Sequence, residues 1–350
     1  MKFLFHLGHP AHFHLFKNTI SFLKNNSHKV IVVIKKKDVL EDLLIENDIE
    51  YINILPNGRK DGLFFVALGQ LKQNYYLYKI VKKEKPDLMI GTSVSISHVG
   101  KLLGIPSFNF SEDDADIVPL YSKLAYPWAT RIITPNVCSV GKWENKKIGY
   151  NGYHELAYLH PENFTPSKEI ANQYINTDVP YFILRFAKLS AHHDVGVKGL
   201  SNELAVCIVE ILKKHGRVYI SSERELNDEL EKYRIKIKSK DIHHIMAFCE
   251  LYIGDSQTMA VESGVLGVPF IRYNDFVGRI SCLEELEKEY QLGYGVKPSE
   301  DDKLIQTINN FLELPNRREI FKQRRINMLK NTINVSTFIN DLIVNFKKHI

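Results

Sequence analysis

The chain has 350 residues, and 44% of them are hydrophobic, so its apolar content is sufficient for two α/β domains with full cores. Its formal net charge of +5 at pH 7 is modest and spread over many segments. Without a concentrated basic face or a known nucleic-acid-binding module, this charge excludes nucleic acid as the expected partner and favours acidic phosphates or an anionic membrane surface.

The cysteine pattern and the hydropathy predict a cytoplasmic protein. The four cysteines lie far apart without CxxC spacing, which is typical of reduced thiols and predicts neither disulfides nor a zinc site. The apolar run at residues 3–5 is too short for a signal peptide, and no run approaches the length of a membrane span. A peripheral contact with the inner face of the membrane stays open as an alternative.

The first half of the chain alternates short apolar strands with helices. Pro10 suits the first position of the first helix. Strands are predicted at residues 2–7, 29–34, 50–55, 87–90, 106–110 and 132–134. This alternation predicts a doubly wound parallel sheet. Residues 145–166, rich in Gly, Asn, Pro and aromatics, are predicted to form a last strand and an interdomain linker.

The second half restarts the same alternation. Strands are predicted at residues 181–185, 217–221, 235–237, 251–253 and 270–271, with a helix starting at Glu223 and three terminal helices at 304–314, 318–330 and 337–346. The G-x-G-x-x-G fingerprint is absent from the first turn of both halves, which counts against a dehydrogenase.

The most informative stretch, residues 249–273, predicts a strand, a helix cap, a helix, a glycine and a second strand. Its helix N-terminus would emerge at the carboxyl edge of the sheet, where backbone N–H groups favour a phosphate. Ser256 and Thr258 can add hydroxyl donors, and Glu262, one turn further, is placed to accept from two sugar hydroxyls. A diphosphate beside a ribose is what a nucleotide-diphospho-sugar presents. The alternative is an ordinary βαβ unit in which Asp255 and Ser256 only cap a helix.

This stretch resembles the nucleotide-diphosphate motif of the GT-B superfamily. It is similar to non-hydrolysing UDP-N-acetylglucosamine 2-epimerases, which carry Asp-Ser-Gly-Gly, a ribose-binding Glu and Leu-Gly-x-Pro. The peptidoglycan N-acetylglucosaminyltransferase spaces its ribose Glu and its proline in the same way. The matching residues are Asp255, Ser256, Glu262, Leu266, Gly267 and Pro269. Gln257 and Thr258 stand where the epimerases have Gly-Gly, so the backbone approach to the phosphates is expected to be looser or to be replaced in part by these side chains.

The first turn carries a second resemblance. His9-Pro10-Ala11-His12 with Phe16 resembles the signature of a poorly characterised prokaryotic domain-of-unknown-function family of GT-B-like proteins, and RFAKLSAHHD and ESGVLGVPFIRY look like the same family. The resemblance implies an α/β GT-B fold, with two Rossmann-like doubly wound domains facing across a cleft. Residues 1–160 would bind the acceptor and 161–335 the nucleotide-sugar, with the helix of 336–350 crossing back to the first domain.

The catalytic candidates are His9, His12 and Glu112. A helix N-terminus disfavours imidazolium, so His9 or His12 is expected to be neutral and able to act as a general base. Glu112 follows the fifth strand and is the alternative base or a ligand of the acceptor hydroxyl. A metal site is the less favoured interpretation of the histidines, because no carboxylate accompanies them. No metal and no cofactor are therefore predicted.

The donor-binding candidates follow the strands of the second domain: Arg185, Lys188, Arg224, Ser256, Gln257, Thr258 and Glu262. The predicted function is transfer of a sugar from a UDP-linked donor to a saccharide or lipid-linked acceptor, in cell-surface polysaccharide or glycolipid biosynthesis. The alternatives are a nucleotide-sugar epimerase or hydrolase of the same fold, and a non-catalytic nucleotide-sugar-binding regulator. The fourth strand ends in Gly91-Thr92-Ser93, where an epimerase would have an aspartate, which weakens the epimerase alternative.

Overall fold

The computed structural model describes residues 1–35, 39–55, 63–187 and 199–350, with side chains from residue 68 onward in the third of these ranges. The described chain forms two compact units. The first comprises Met1–His160 together with Ile333–Ile350, and the second comprises Pro161–Thr332. Among the described residues, no helix combines the length and the hydropathy that crossing a bilayer requires.

The first unit is built on a parallel sheet. Its strands, numbered in chain order, are β1 (Lys2–Leu7), β2 (Lys29–Lys35), β3 (Ile52–Leu55), β4 (Leu88–Gly91), β5 (Ser107–Phe110), β6 (Arg131–Pro135) and β7 (Lys147–Tyr150). The order across the sheet is β3-β2-β1-β4-β5-β6-β7, and every pairing is parallel. Strands β2 and β3 lie on one side of β1, and β4 to β7 lie on the other, so the strand order switches between β1 and β4. In α/β proteins ligands bind outside the carboxyl ends of the strands at such a switch point.

Helices connect these strands: α1 (Pro10–Asn25), α2 (Leu40–Glu46), α3 (Leu63–Glu84), α4 (Val94–Leu103), α5 (Pro119–Ala125) and α6 (Leu156–Leu159), with α15 (Val335–Val344) and 3-10 helices at Gly141–Lys146 and Phe346–Lys348. The last helix, α15, packs against α1 and α6 of the same unit. Buried Ile339 and Ile343 face this packing, and the rings of Phe346 and Phe3 lie 6.3 Å apart.

The second unit has a smaller parallel sheet in the order β12-β11-β10-β8-β9. Its strands are β8 (Tyr181–Phe186), β9 (Arg217–Ser222), β10 (Leu251–Gly254), β11 (Phe270–Tyr273) and β12 (Gly293–Val296). Its helices are α7 (Lys168–Ala171), α8 (Asn202–Leu212), α9 (Asp228–Glu231), α10 (Ile242–Met246), α11 (Gln257–Leu266), α12 (Ser281–Lys288), α13 (Asp301–Glu313) and α14 (Arg317–Asn331), with a 3-10 helix at Ser239–Asp241. Strand β10 lies at the centre, and all of its residues are buried.

Two predicted elements of the second unit are wrong. No strand forms at 235–237, and the only pairing nearby in the described chain is an isolated bridge between Ile220 and Arg234, the residue before this segment. The helix predicted from Glu223 begins only at Asp228, because Ser222 Oγ accepts from the Arg224 N–H and turns the chain first. Asn227 then provides the helix cap.

Candidate functional site

The helix N-terminus predicted at the end of β10 is present in the second unit. Ser256 caps α11, and its Oγ accepts from the N–H of Met259 at 3.4 Å. Gly254 lets β10 approach its neighbour, since a Cβ there would lie 2.8 Å from Cβ of Arg185. Gly267 ends the helix with φ of 80°, a left-handed conformation that suits glycine. The helix therefore starts at the carboxyl edge of the sheet, with its N–H groups directed outward.

Asp255 holds the ends of three strands together behind this helix. Its carboxylate is buried and accepts from the backbone N–H of Ala187, after β8, at 2.6 Å. It also forms an ion pair of 3.0 Å with Arg224, which follows β9. Burial raises the pKa of Asp255 to about 6, opposed by the Ala187 N–H and by the Arg224 guanidinium. Asp255 is therefore an organising group rather than a ligand-facing one.

Asp255 fixes Arg224, one of the two predicted donor-binding arginines, and contacts with β9 and the loop after it orient the other, Arg185. Arg224 stacks 4.8 Å above the ring of Phe186 and donates to the carbonyl of Leu200 at 2.5 Å. Arg185 lies near the end of β8 and donates to Ser221 Oγ at 2.7 Å, and it forms an ion pair with Glu223. The Glu223 side chain is 51% exposed, so this pair is weak and a phosphate can compete for it.

Glu262, the predicted ribose ligand, lies inside α11 and is 5% exposed. Its Oε1 accepts from Nε2 of His243 at 2.8 Å. His243 lies on α10 and is itself only 3% exposed, so the two side chains form a buried polar pair. Sequence analysis missed His243. Its signal, two histidines in a short apolar helix, does not distinguish a site residue from a structural one.

Gln257, which replaces a motif glycine, is tied to a buried arginine. Arg272 Nη1 donates to Gln257 Oε1 at 3.3 Å, and among the described residues Gln257 Nε2 is buried without a hydrogen-bond partner. Arg272 is fully buried and also pairs with Glu284 and Glu287. The arrangement orients the Gln257 amide with its N–H groups away from Arg272. Thr258 takes the next position of α11, and Lys188 lies outside the described residues.

In the first unit, both candidate histidines lie at the start of α1. His9 is the N-cap, and its Nδ1 accepts from the N–H of Ala11 at 3.2 Å. His12 is in the first turn, and its Nδ1 accepts from the N–H of Gly8 at 3.1 Å. A neutral imidazole that accepts at Nδ1 carries its proton on Nε2. Both rings can therefore donate a hydrogen bond from Nε2. Neither ring can accept a proton while these backbone bonds persist, because Nε2 already carries one and the lone pair of Nδ1 is occupied.

Loss of solvent contact keeps His12, His154 and His6 of the first unit neutral. The pKa of His12 lies well below its ordinary value because the ring is buried and because His9 and Lys35 are close by. Burial also lowers the pKa of His154, which follows β7, to about 3. For His6, at the end of β1, burial and the Lys35 charge lower the pKa to about 3. The low pKa of His12 thus follows mainly from the loss of solvent contact. The sequence analysis had attributed the neutral form to the helix N-terminus instead.

Glu112 is fixed beside His154 at the same edge of the sheet. Its Oε1 accepts from the backbone N–H of His154 at 2.7 Å, and its Oε2 lies 3.6 Å from His154 Nδ1. Because His154 is neutral, this contact is not an ion pair at neutral pH. The Glu112 side chain is 20% exposed, so a substrate can reach the carboxylate. Glu112 therefore combines a fixed position with proton-accepting capacity.

The end of β4 carries no carboxylate. Ser93 stands there, 7% exposed, and its Oγ accepts from the N–H of Ser95 as the cap of α4 while also bonding to Nδ1 of His6. Its backbone N–H donates to Asn109 Oδ1 at 3.0 Å. This position is built as a neutral polar network. Over the described ranges, no group of three or more His, Cys, Asp or Glu side chains has a metal-binding arrangement.

Comparison with solved structures confirms the predicted GT-B fold class, two parallel-sheet α/β domains. The UDP-GlcNAc 2-epimerase from Neisseria meningitidis, solved with UDP-GlcNAc, is 16% identical with a TM-score of 0.69, over 98% of this chain and 100% of that one. Alr3699/HepE from Anabaena, solved with UDP and glucose, is 16% identical with a TM-score of 0.66, over all of both chains. The spinosyn forosaminyltransferase SpnP is 13% identical with a TM-score of 0.64, over 99% and 98%. Identities this low show the fold alone.

The sequence itself places the chain in a family. No curated protein matches it in sequence. A family model described as "Protein of unknown function (DUF354)" matches residues 1–280, which include the His-Pro-x-His turn, the helix α11 and its buried Glu262. The chain therefore belongs to the DUF354 family, in agreement with the resemblance seen in the sequence.

Proposed function

We propose that the protein is a metal-independent glycosyltransferase that uses a nucleotide-diphospho-sugar donor, most simply a UDP-sugar. The observation that carries this proposal is the buried Glu262, held by His243 one turn behind the N-terminus of α11. A carboxylate in that position suits a ribose diol when a diphosphate occupies the helix end. The solved epimerase holds UDP-GlcNAc, and HepE holds UDP and glucose. These ligands support the same class of donor.

The donor would bind to the second unit. The N–H groups of α11, the Ser256 and Thr258 hydroxyls and the Gln257 amide are the proposed diphosphate ligands. Arg185, near the end of β8, and Arg224, after the neighbouring β9, would add positive charge as the diphosphate leaves. Lys188 belongs to the same proposal on the sequence alone. These N–H, hydroxyl and guanidinium groups can stabilise the negative charge of the leaving diphosphate, as a cation does in other transferases. No metal is therefore required.

The acceptor, a saccharide or a lipid-linked sugar of cell-surface polysaccharide or glycolipid assembly, would bind to the first unit. Glu112 is the proposed base that accepts the proton of the acceptor hydroxyl. His12 and His9 would donate hydrogen bonds from Nε2 to oxygens of the acceptor, since their Nδ1 atoms accept from the backbone. The structure thus favours Glu112 over the histidines as the base.

Epimerisation of the nucleotide-sugar is the second candidate. The position of Glu112 after β5 favours it, because the epimerases use carboxylates after their fourth and fifth strands. Ser93 at the end of β4 weighs against it, because the second carboxylate is replaced by a helix-capping hydroxyl. A non-catalytic nucleotide-sugar-binding regulator would show neither reaction.

Product analysis separates these functions. The purified protein is incubated with UDP-N-acetylglucosamine and other UDP-sugars in the presence of EDTA, with and without saccharide and polyprenyl-phosphate-linked sugar acceptors. Transfer predicts UDP release that depends on the acceptor. Interconversion of the sugar without an acceptor would identify an epimerase, and binding without turnover would identify a regulator.

His243 is expected to position Glu262, so its removal should weaken recognition of the ribose. The wild-type protein should prefer UDP over 2′-deoxy-UDP by about tenfold or more, the value of one charge-assisted hydrogen bond. His243→Ala should lose most of this preference. The matched control is His244→Ala, because His244 lies on the same helix but accepts from the Ser167 N–H instead. An unchanged preference in His243→Ala would show that Glu262 does not depend on His243.

A further inference from the structure

One surface of the first unit exposes apolar and basic side chains together. Along α3, exposed residues recur every three or four positions and so form one stripe: Leu68, Leu71, Lys72, Tyr75, Tyr76 and Lys79. Leu71 is 65% exposed and Tyr75 is 54% exposed, and exposed apolar side chains that adjoin one another mark an interaction surface. The Lys79 ammonium lies 4.4 Å from the centre of the Tyr75 ring, so aromatic and cationic groups are interleaved.

The stripe continues across α4 onto α5. His98 of α4 hydrogen-bonds to Asn74 of α3 at 3.1 Å and to the carbonyl of Leu124 of α5 at 2.9 Å, which places the three helices side by side. The Trp128 ring packs edge-on against His98, 6.2 Å between centres, and is 49% exposed. Leu120, 45% exposed, lies one turn before Leu124. These residues and the α3 stripe together are called the α3–α5 face.

The charge on these helices is predominantly positive. Six lysines lie on α3, α4 and α5: Lys72, Lys79, Lys82, Lys83, Lys101 and Lys123. The single carboxylate on the same helices is Glu84, and it pairs with Lys2 and Lys29 of the sheet edge. Two copies meeting through this face would bring like charges together in an apolar contact, which is unfavourable. The face is therefore complementary to an anionic, partly apolar partner.

A bilayer containing anionic lipid has this chemistry. Leucines can enter the acyl boundary, Tyr and Trp rings suit the headgroup level, and lysines keep their ammonium groups at the phosphates. Each lysine near an anionic bilayer contributes about 1 kcal/mol, and apolar burial adds a second signal. We propose that the α3–α5 face is a peripheral membrane-binding surface that takes anionic phospholipid bilayers.

Vesicle binding tests this proposal with the full chain. Co-sedimentation is measured with vesicles of phosphatidylcholine alone and of phosphatidylcholine mixed with phosphatidylglycerol. The wild-type protein should bind the anionic vesicles and not the neutral ones, with weaker binding at high salt. Leu71→Ser should weaken the binding about tenfold or more, the value of burying one leucine, and Trp128→Ser should do likewise. The control is Ile45→Ser, because Ile45 is 62% exposed on α2 outside this face.

Three results would overturn the proposal. The wild-type protein could fail to bind either kind of vesicle, or the Ile45→Ser control could lose as much binding as Leu71→Ser. A concentration-dependent dimer that Leu71→Ser dissociates, without vesicle binding, would make the face a contact between copies. Sedimentation velocity run in parallel detects that last outcome, and circular dichroism checks that each variant is folded.

Discussion

Acidification from about pH 7 to about pH 5 is expected to destabilise the first unit strongly, because its fold holds one buried and two half-buried histidines in their neutral forms. Folding lowers the pKa of His6 and of His154 to about 3, and that of His12 well below its usual range. The unfolded chain binds protons at these groups below about pH 6.5, whereas the folded chain does not. The unfolding free energy therefore falls as the pH drops, with a limiting slope of about 4 kcal/mol per pH unit for three protons.

This slope is large relative to a total stability of about 5–15 kcal/mol. Carboxylates titrate mostly below this window, so the histidines dominate it. Asp255 in the second unit acts in the opposite sense between about pH 4 and pH 6. Its folded pKa is raised, so protonation at lower pH favours its folded state. The acid sensitivity should therefore be a property of the first unit.

Urea unfolding at several pH values, followed by tryptophan fluorescence, measures this effect in the first unit. Both tryptophans of the chain, Trp128 and Trp143, belong to that unit. His154→Gln should reduce the slope by about a third, while His215→Gln, at an exposed position of the second unit, should not change it. An unfolding free energy that stays constant between pH 7 and pH 5 would mean that the fold does not hold these three histidines in their neutral forms.

Glu112→Gln is expected to lower turnover by about 10²–10⁴, the usual contribution of a general base, while leaving nucleotide binding unchanged. Glutamine keeps the shape of the side chain, and its carbonyl oxygen can still accept from the His154 N–H, so the local structure should persist. Asp113→Asn is the matched control, one residue further along the same turn. Steady-state kinetics and calorimetry on each variant separate turnover from binding.

The comparison with His12 decides between two of the three candidate bases, Glu112 and His12. His12→Asn retains a side-chain N–H donor, so a role limited to hydrogen bonding from Nε2 predicts partial activity. If His12→Asn were to lose turnover by 10²-fold or more while Glu112→Gln stayed near normal, the imidazole would be the base. The Gly8 N–H bond to His12 Nδ1 would then have to break in the reacting enzyme.

Local sequence signals predicted the strand and helix pattern around α11, because each boundary has a short-range physical cause. Ser256 caps the helix, and Gly267 ends it with a positive φ. The buried strands before and after it are apolar runs that periodicity identifies. The strand predicted at 235–237 failed because its alternating Ile and Lys residues fit an edge strand, whereas the backbone makes only one bridge, at Arg234 just before it. Strand β12, with two glycines in four residues, carried no strand signal.

The partners of the site residues depend on long-range contacts that the sequence does not encode locally. His243 and Glu262 are brought together by the packing of α10 against α11. The hydrogen bond that sets the His12 tautomer comes from Gly8, whose N–H direction depends on the end of β1. Residue types in the first turn indicated a histidine site, but only the bonded geometry distinguishes a proton acceptor from a donor.

Calorimetric titration of UDP into the wild-type protein and into Glu262→Ala tests the central claim most directly. The proposed donor site predicts saturable binding to the wild-type protein, and a loss of roughly 2–4 kcal/mol, about 30- to 1,000-fold in affinity, in Glu262→Ala. Circular dichroism and thermal unfolding confirm that the variant is folded. Equal affinities in the two proteins would remove Glu262 from the site, and no binding of UDP or any other nucleoside diphosphate to the wild-type protein would contradict the proposed function.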